Sequence, residues 1–464
     1  MKTKCLLFTA LLFSAAAQSI FPQATVAQPA PNGIQSLSID EAVRIALENN
    51  LVLRRNAINL ETARRGLNHS WNSLSPSLTA SALLNHPTST TGPVAPIRAD
   101  DWMPGFNFSA GVTFSASVIE NIRRARADFD TGALSYEAAR VEIELQVRRL
   151  FYQILLLDAN RELAIRNFQS AQSRYQQTVA LANVGQVPQL DALSARVDME
   201  NLRPVVASVE IAYRNALDSF MAILGLPAGS VITLDGDLNV RAAFNVGAAE
   251  IAAAVERAGT PLEVSAAIAG IAGNSLEVSI LLATIRSLEA QRNTVRNAAH
   301  VPSLMLQWDS APMYFRQPHP PMNLEGWHDN SGSFSVILGL SLDSFFPWSV
   351  ARTNMAAIND AIRATEIQMS ETLRNRENRI IQSIRTVVGI LEFMEAMRLN
   401  VELAQNAYEI ISGAFSVGAA DYQRVRSAWD GLAQANYRLL QEQFNLAAAL
   451  LDLERELSIP FGTL

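Results

Sequence analysis

The sequence contains very few residues of two reactive types, cysteine and lysine. Its one cysteine is Cys5 and its only lysines are Lys2 and Lys4, so all three stand at the extreme N-terminus. The rest of the chain therefore has no cysteine nucleophile, iron–sulfur cluster, thiolate zinc site, P-loop lysine or Schiff-base lysine. The formal net charge of -7 and a pI near 5.4 disfavour a general nucleic-acid binder, so we expect no nucleic-acid partner.

Residues 1–27 are predicted to be a secretory signal peptide. An apolar run from Leu6 to Ala17 follows a positive start, and small residues place the cleavage after Ala17 or Ala27. The alternative is a buried N-terminal helix. No later stretch approaches the roughly 18 uninterrupted apolar residues of a membrane-spanning helix. We therefore expect a chain that leaves the cytoplasm and is either soluble outside it or inserted as a β-barrel.

Most of the chain has a helical pattern that occurs in two copies. Proline and glycine concentrate in two segments that begin with Pro-Ser-Leu, and each is followed by a long helical stretch and a Val-Gly turn. Gly270 and Gly273 interrupt the helix before the second segment. The predicted domains are the signal peptide at 1–27; a first repeat at 28–225, with strands at about 74–86 and 105–118 and a tip at 184–188; a linker at 226–249; and a second repeat at 250–464, with strands at about 303–309 and 333–343 and a tip at 417–421.

The strands in these segments alternate with a period of two residues. At 105–118, Phe106 and Phe108 alternate with Asn107 and Ser109. One face of the strand is therefore apolar, and the other carries small uncharged polar residues, which suit the lumen of a transmembrane barrel whose apolar face meets lipid. Four strands cannot close a barrel, so other chains must complete it.

Tryptophan placement supports the same interpretation, since girdles of aromatic residues mark the membrane interface of barrels. The alternative is that these residues cap an ordinary core. The predicted membrane-interface aromatics lie in or near the ends of the strand segments and are Trp71, Trp102, Trp308, Trp327 and Trp348.

Apolar residues recur at three- and four-residue steps along the two long helical stretches, which is coiled-coil behaviour. The first runs from about 118 to 184, and at about 1.5 Å per residue it would be close to 100 Å long. A returning helix is predicted after each turn, at 190–224 and 421–457. A globular domain has no need of such lengths, so the pattern predicts a rod or a tube.

Taken together, these motifs resemble the TolC family of outer-membrane efflux proteins over essentially the whole mature chain. The resemblance is carried by the opening from Leu37 to Asn50, the two Pro-Ser-Leu strand starts, the two Val-Gly turns and the closing run from Tyr437 to Gly462. It implies a mainly α fold with a transmembrane β part. A long coiled-coil α-helical barrel with an internal two-fold repeat would carry four β-strands per chain, which contribute to a trimeric 12-stranded outer-membrane β-barrel.

The resemblance also implies the location and the partners of the protein. It implies a homotrimer in outer-membrane lipid that extends into the periplasm of a Gram-negative-type envelope. A periplasmic adaptor (membrane fusion protein) and an inner-membrane transporter would hand substrates to this passive exit duct. The helix tips would contact the adaptor, with Val184, Gly185, Val417 and Gly418 as the contact residues.

The residues of the periplasmic entrance match the family only in part. Asp191 matches a carboxylate that family members pair with an arginine, but Ala420 stands at the position of that arginine. Two aspartates that ring the entrance in the family are replaced here by Arg424 and Ser427. We expect Asp191 to pair with Arg424 or Arg426, and the arginines to favour anions; the alternative is a solvated helix face. The predicted gate residues are Asp191, Asp421, Arg424, Arg426 and Ser427.

No constellation of catalytic residues is evident, so we expect no enzyme activity, no cofactor and no metal. None of the five histidines forms a zinc-type HxxxH pair, and neither a Gly-x-Ser-x-Gly elbow nor a nucleotide-binding loop is present. The leading prediction is the outer-membrane channel of a tripartite efflux or type I secretion system. The alternatives are a channel for uptake, which would share the fold, and a secreted or periplasmic coiled-coil scaffold or adhesin without a channel.

Overall fold

The computed structural model describes residues 35–85, 103–227, 232–238, 269–310, 313–314, 327–328, 332–417 and 419–463. The predicted signal peptide, most of the predicted linker, Trp102 and Gly418 lie outside these residues, as does the side chain of Trp327. The described chain is mostly helical. In chain order its elements are β1 (Gln35–Leu37), α1 (Ile39–Asn49), α2 (Leu51–Asn68), β2 (Ser77–Asn85), β3 (Met103–Phe114), α3 (Ala116–Asn183), α4 (Gln189–Leu224), β4 (Ile232–Leu234), α5 (Leu276–His300), β5 (Ser303–Ser310), β6 (Met313–Tyr314), β7 (Trp327–His328), β8 (Ser333–Gly339), α6 (Val350–Ser416) and α7 (Tyr422–Leu457).

Two very long helices dominate the molecule, as the sequence predicts. α3 has 68 residues and α6 has 67, so each extends about 100 Å. Each is followed by a turn and a returning helix of 36 residues, α4 after α3 and α7 after α6. Pro204 lies inside α4, where it removes one helical N–H and favours a bend. Among the described residues, no helix is both long and apolar enough to cross a membrane.

The helices pack side by side in a fixed order, because each has apolar residues on more than one flank. Near the strands the order is α2, α3, α5, α6, and toward the turns it is α4, α3, α7, α6. α3 is therefore interior in both halves. α2 and α4 form one outer edge of this layer, and α6 forms the other edge along its whole length.

The strands form a single antiparallel sheet in the order β2, β3, β5, β8. Beyond the end of β5, the short strand β6 also pairs with β3. β7 pairs in turn with β6. Within the described sheet, β2 and β8 each have a neighbour on one side only. Gly332, just before β8, lies where a Cβ atom would come within 2.6 Å of the indole nitrogen of Trp308.

Three strand boundaries differ from those predicted. Residues 70–74 form a 3-10 helix, so β2 begins at Ser77 rather than near 74. β3 ends at Phe114 rather than near 118, because the Ser115 side chain accepts a hydrogen bond from the Ser117 N–H and caps α3. β8 ends at Gly339 rather than 343, because Leu342–Phe345 forms a second 3-10 helix.

A compact core lies about midway along the helices, where the short parallel pair of β1 and β4 packs on α1, α3 and α4. Phe151 and Phe220 meet there with ring centroids 6.3 Å apart, and both are almost fully buried. Gly225 ends α4 with a φ of +72°, and a Cβ atom on it would lie 2.5 Å from the carbonyl oxygen of Asn49. The chain can therefore turn from α4 toward β4 only with glycine at this position.

A second core joins α6 to α7 and is closed by a buried arginine. The guanidinium of Arg376 donates to the carbonyl of Glu456, at 2.8 Å, and to the Ser458 hydroxyl, at 2.7 Å. These bonds satisfy the C-terminal end of α7, where Ser458 has a φ of 56°. Burial is the main cause that lowers the pKa of Arg376. The buried Glu454 accepts from the N–H of Thr463, so the final residues fold back on the helix pair.

Replacing Gly225 by alanine tests the turn. The strained φ and the contact with the Asn49 backbone should lower the free energy of unfolding by about 2 kcal/mol or more. The matched control is Gly431→Ala in α7, where a Cβ atom meets open space and alanine should stabilise the helix by about 0.5–1 kcal/mol. Thermal unfolding followed by circular dichroism measures both variants, and equal midpoints would contradict the assignment.

Candidate functional site

The four main strands present one continuous apolar face. The register places Ala80, Phe108, Ala110, Trp308 and Phe334 on the same side of the sheet, across all four strands. Large side chains on this face are exposed, with Leu78 at 78% and Leu338 at 74%. An exposed apolar surface that extends over a whole sheet marks contact with a protein partner or with lipid. The members of the face are Leu78, Ala80, Ala82, Leu84, Phe106, Phe108, Ala110, Val112, Phe114, Leu304, Leu306, Trp308, Phe334, Val336 and Leu338.

The opposite face of the sheet is mostly polar, although Leu83, Met305 and Ile337 interrupt it. Its polar members are small and bond to one another across strands: the hydroxyls of Thr79 and Ser109 are hydrogen bonded, and the Ser77 hydroxyl donates to the Gly111 carbonyl at 3.1 Å. Asp309, which accepts from the Gln307 amide at 2.9 Å, is the only charged residue in the described parts of β2, β3, β5 and β8. The alternation predicted from the sequence is confirmed.

The predicted tryptophans fall at the two ends of the sheet. Trp71, in the 3-10 helix before β2, and Trp348, before α6, lie at the end where the strands meet the helices. Trp308 is on the apolar face near the opposite end of β5, and β7 contains Trp327. The three described side chains are each more than 40% exposed, so none of them is buried in a core.

The far ends of the helices form two turns, which include the predicted contact residues. Gly185 lies in the turn that follows α3 and has a φ of +78°. Pro188 directly precedes the first turn of α4. Val184 and Val417 are 70% and 78% exposed, one at each tip. The two tips therefore place an apolar side chain in solvent at equivalent positions.

A buried polar contact ties the two tips together, and the sequence reasoning missed it. The Tyr422 hydroxyl, on α7, donates to a carboxylate oxygen of Asp198, on α4, at 2.9 Å. The Arg426 guanidinium lies 3.3 Å from the other oxygen of Asp198. Burial and this hydrogen bond raise the pKa of Tyr422. We call these three residues the tip network.

Aromatic residues pack beside the tip network. Phe415 and Tyr422 are buried and meet edge to face at 6.2 Å. The buried guanidinium of Arg174, on α3, lies 4.4 Å from the ring centroid of Trp429, a cation–π contact. Asp198 stands one heptad after Asp191, and that spacing was the only sequence signal for it.

Within one chain, the predicted gate residues form contacts other than the predicted pairing of Asp191 with Arg424 or Arg426. Arg424 pairs with Asp421, whose carboxylate also accepts from the Arg424 N–H at 2.9 Å and so caps α7. Ser427 is exposed on the same helix. Asp191 is in the first turn of α4, and within the described part of the chain it forms no ion pair with Arg424 or Arg426. The predicted pairing is therefore not made inside one subunit, and between subunits it stays a prediction.

Known proteins provide the context for this geometry. Residues 42–226 match the sequence model of a family described as outer membrane efflux protein. This part of the chain is similar to that family. The predicted resemblance is thereby confirmed, and the functions connected with it are outer-membrane transport and efflux through a channel. Among curated proteins, none matches this sequence significantly.

Solved outer-membrane channels have the same fold as the described chain. The structure of CusC, reported for its transmembrane channel formation, has a TM-score of 0.73 at 14% identity and covers 94% of this chain and 96% of its own. The outer membrane protein VceC of Vibrio cholerae has a TM-score of 0.71 at 14% identity, with coverage of 91% and 96%. The CmeC outer membrane channel of Campylobacter jejuni has a TM-score of 0.72 at 16% identity, with coverage of 90% and 85%.

Metal-binding clusters and clefts are two further kinds of possible site in the described chain. No group of His, Cys, Asp and Glu residues in the described ranges is arranged to hold a metal ion. The pockets of the described chain are clefts between helices, such as one of about 660 Å³ beside Arg148, Arg376 and the C-terminal residues. The two features of the described chain that bear on its function are the two-faced sheet and the tip network.

Replacing Tyr422 by phenylalanine tests the tip network. The change keeps the ring and removes a bond to a charged acceptor that contributes about 1.5–3 kcal/mol. We expect amide hydrogens in the second and third turns of α7 to exchange about 10–100-fold faster, measured by hydrogen exchange and mass spectrometry. Tyr437→Phe is the control, because that half-exposed tyrosine lies on the same helix and its hydroxyl bonds to no described residue. Equal exchange in both variants would contradict the network.

Proposed function

We propose that this protein is the outer-membrane channel of a tripartite efflux system, a passive duct through which an inner-membrane pump expels its substrates. The observation that carries the proposal is a sheet with one apolar face, one face of mostly small polar residues and two open edges. Open edges and exposed apolar side chains are costly in water, and within lipid the unpaired backbone groups cost several kcal/mol each. A closed ring of strands with the apolar face toward lipid removes both costs.

The two outer edges of the subunit are formed by different elements, which supports closure by copies of the same chain. One side of the subunit is formed by β2, α2 and α4, and the other by β8 and α6. The helices on both sides carry exposed apolar residues, such as Ile58 and Val197 on the first and Ile367 and Leu403 on the second. A contact between two different edges repeats head to tail and forms a ring when its rotation closes.

We take the number of copies from the family resemblance, which implies three. Three chains with four main strands each give the predicted 12-stranded barrel in the outer membrane. The helices then continue it as a helical barrel into the periplasm. An internal two-fold repeat is supported by the matching helix lengths, 68 and 67 residues for α3 and α6 and 36 for both returning helices. The predicted linker at 226–249 would then join the two repeats.

The helix tips are the periplasmic entrance and the contact with the adaptor. Val184, Gly185 and Val417 lie at the two tips, where exposed apolar side chains are available to a partner, and Gly418 is next to them in the chain. The tip network links α4 to α7 near the tips, and this link would help to keep the entrance narrow. Trp71, Trp308 and Trp348 mark the two membrane interfaces, with Trp102 and Trp327 assigned to the outer one.

Chemical cross-linking between strand edges tests the assembly. The mature chain has no cysteine if the leader is removed, so Thr79→Cys on β2 and Ser335→Cys on β8 introduce the only thiols. A flexible bis-maleimide should convert this double variant to covalent trimers in membranes, visible as a threefold mass on a denaturing gel. Thr79→Cys with Ser109→Cys is the matched control, because β2 and β3 are neighbours in one chain and the mass should not rise. Monomers alone in the first variant would contradict the proposal.

Replacing Arg424 by alanine tests the entrance. If arginines line the entrance, the change should reduce the preference for anions and alter the conductance of single channels in planar bilayers. Arg363→Ala is the control, because Arg363 also pairs with an aspartate three residues away, Asp360, but lies on α6 far from the tips. If conductance and ion selectivity are unchanged in the Arg424 variant, the prediction that these arginines line the entrance is wrong.

A further inference from the structure

The cleft of about 660 Å³ beside Arg148 and Arg376 lies between α3 and the C-terminal part of the chain. α3 lines one side, and the N-terminal end of α5, part of α6 and the end of α7 with the segment after it line the others. Its volume suits a small organic molecule, since sites for such ligands measure about 300–1,000 Å³. None of its described lining residues belongs to the sheet or to the tips, so neither the duct nor the entrance accounts for it. We call this space the α3 cleft.

One part of the lining of the α3 cleft is apolar. Phe461, in the segment that folds back after α7, is half-buried, and its ring lies 5.8 Å from the guanidinium carbon of Arg148. Val141, on α3, is also half-buried. Apolar walls of this kind hold the carbon skeleton of a ligand by removing it from water. The apolar lining residues are Ala138, Val141, Leu276, Ile459, Pro460 and Phe461.

The other part of the lining contains six charged residues, and five of them have a partner of opposite charge. The pairs, with N–O distances of 2.9 to 3.7 Å, are Glu144 with Arg148, Glu142 with Arg455, and Glu277 with Arg379, which is not itself a lining residue. Because these charges already compensate each other, they favour neither an anion nor a cation in the cleft.

Arg376 is the sixth charged residue, and it is in none of the ion pairs of the described chain. The residue is only 5% exposed. Its hydrogen bonds to the end of α7 are all made by Nη2, and the buried Nε has no partner among the described residues. The carboxylates of Glu277 and Glu456, which favour its charge, are both held by Arg379. The wall of the cleft therefore contains one buried guanidinium without a bound anion.

We propose that the α3 cleft binds an amphipathic organic anion, whose single carboxylate meets Arg376 and whose apolar body packs against Phe461 and Val141. A buried cation without a partner is costly, and a bound anion removes that cost. The planar guanidinium of arginine matches a carboxylate in geometry as well as in charge.

The lining also decides the class of the ligand. One negative charge is enough, because Arg376 alone among the lining charges lacks an opposite partner. An inorganic anion would leave the apolar wall uncovered, and a neutral apolar molecule would leave Arg376 unpaired. Once bound, the ligand would join α3 to the C-terminal segment. This inference does not depend on the proposed function, because none of the described lining residues is in the sheet or at the tips.

Binding of phenylbutanoate to the purified full-length protein in detergent tests the site. Isothermal titration calorimetry compares it with phenylbutanamide, a neutral molecule of nearly the same shape, with the same detergent in both solutions. We expect the carboxylate to bind about tenfold more tightly or better, because it alone supplies a charge for Arg376. The midpoint of thermal unfolding should rise with its concentration, since a ligand of the folded state stabilises that state.

Two variants locate the binding. Arg376→Gln should weaken binding of the carboxylate about tenfold or more and abolish the preference over the amide. Val141→Trp keeps Arg376 but fills the cleft, so it should weaken both molecules, and it tests the site even if the first variant fails to fold. The matched controls are Arg363→Gln on α6 and Val197→Trp on α4, exposed positions outside the lining that should leave binding unchanged.

Three results would overturn the inference. Equal affinities for the carboxylate and the amide would mean that Arg376 does not recognise the charge. Absence of binding at millimolar phenylbutanoate would mean that the cleft is not a site for such anions. Unchanged affinity in the Val141 variant would place the ligand elsewhere on the protein. None of these results bears on the channel, whose assembly and conductance are tested separately.

Discussion

Backbone N–H and C=O groups on the outer sides of β2 and β8 have no partner among the described strands, and this constraint shapes the rest of the molecule. A sheet of this kind is stable only when something continues it, since unpaired edges recruit other strands and are not tolerated in lipid. The described chain leaves both edges uncovered, and the two edges differ in composition. The same division extends down the helices, because α2 and α4 follow the side of β2 and α6 follows the side of β8.

Polarity is arranged consistently with that constraint from the sheet to the tips. On the sheet, short hydroxyl side chains such as Thr79 and Ser109 bond to each other and leave the apolar residues on the far side. At the connection between β8 and α6, Ser344 and Ser349 again occupy the interior while aromatic rings face out. Along the helices the arrangement is conventional: Phe151 and Phe220 are buried in the core midway along them, and at the tips the Tyr422 ring is buried and its hydroxyl is bound to Asp198.

Sequence periodicity predicted the fold well where structure is local. The alternation of Phe106, Asn107, Phe108 and Ser109 predicted both faces of β3, and the Val-Gly turns predicted the ends of α3 and α6. The prediction continued β3 into Val118, because Ala116 and Val118 keep the apolar alternation; the hydroxyl of Ser115 ends the strand instead. The tip network was missed for a different reason: Asp198 and Tyr422 are far apart in sequence, and no periodicity connects them.

Pro204 gives the two halves of the subunit different mechanical properties. The returning helix of the first half, α4, contains this proline, whereas its counterpart in the second half, α7, is an unbroken helix of 36 residues. A missing backbone hydrogen bond lets a helix flex at that point, and an intact ladder resists flexing. In a ring of such subunits, helices that bend readily at Pro204 would alternate with helices that resist bending.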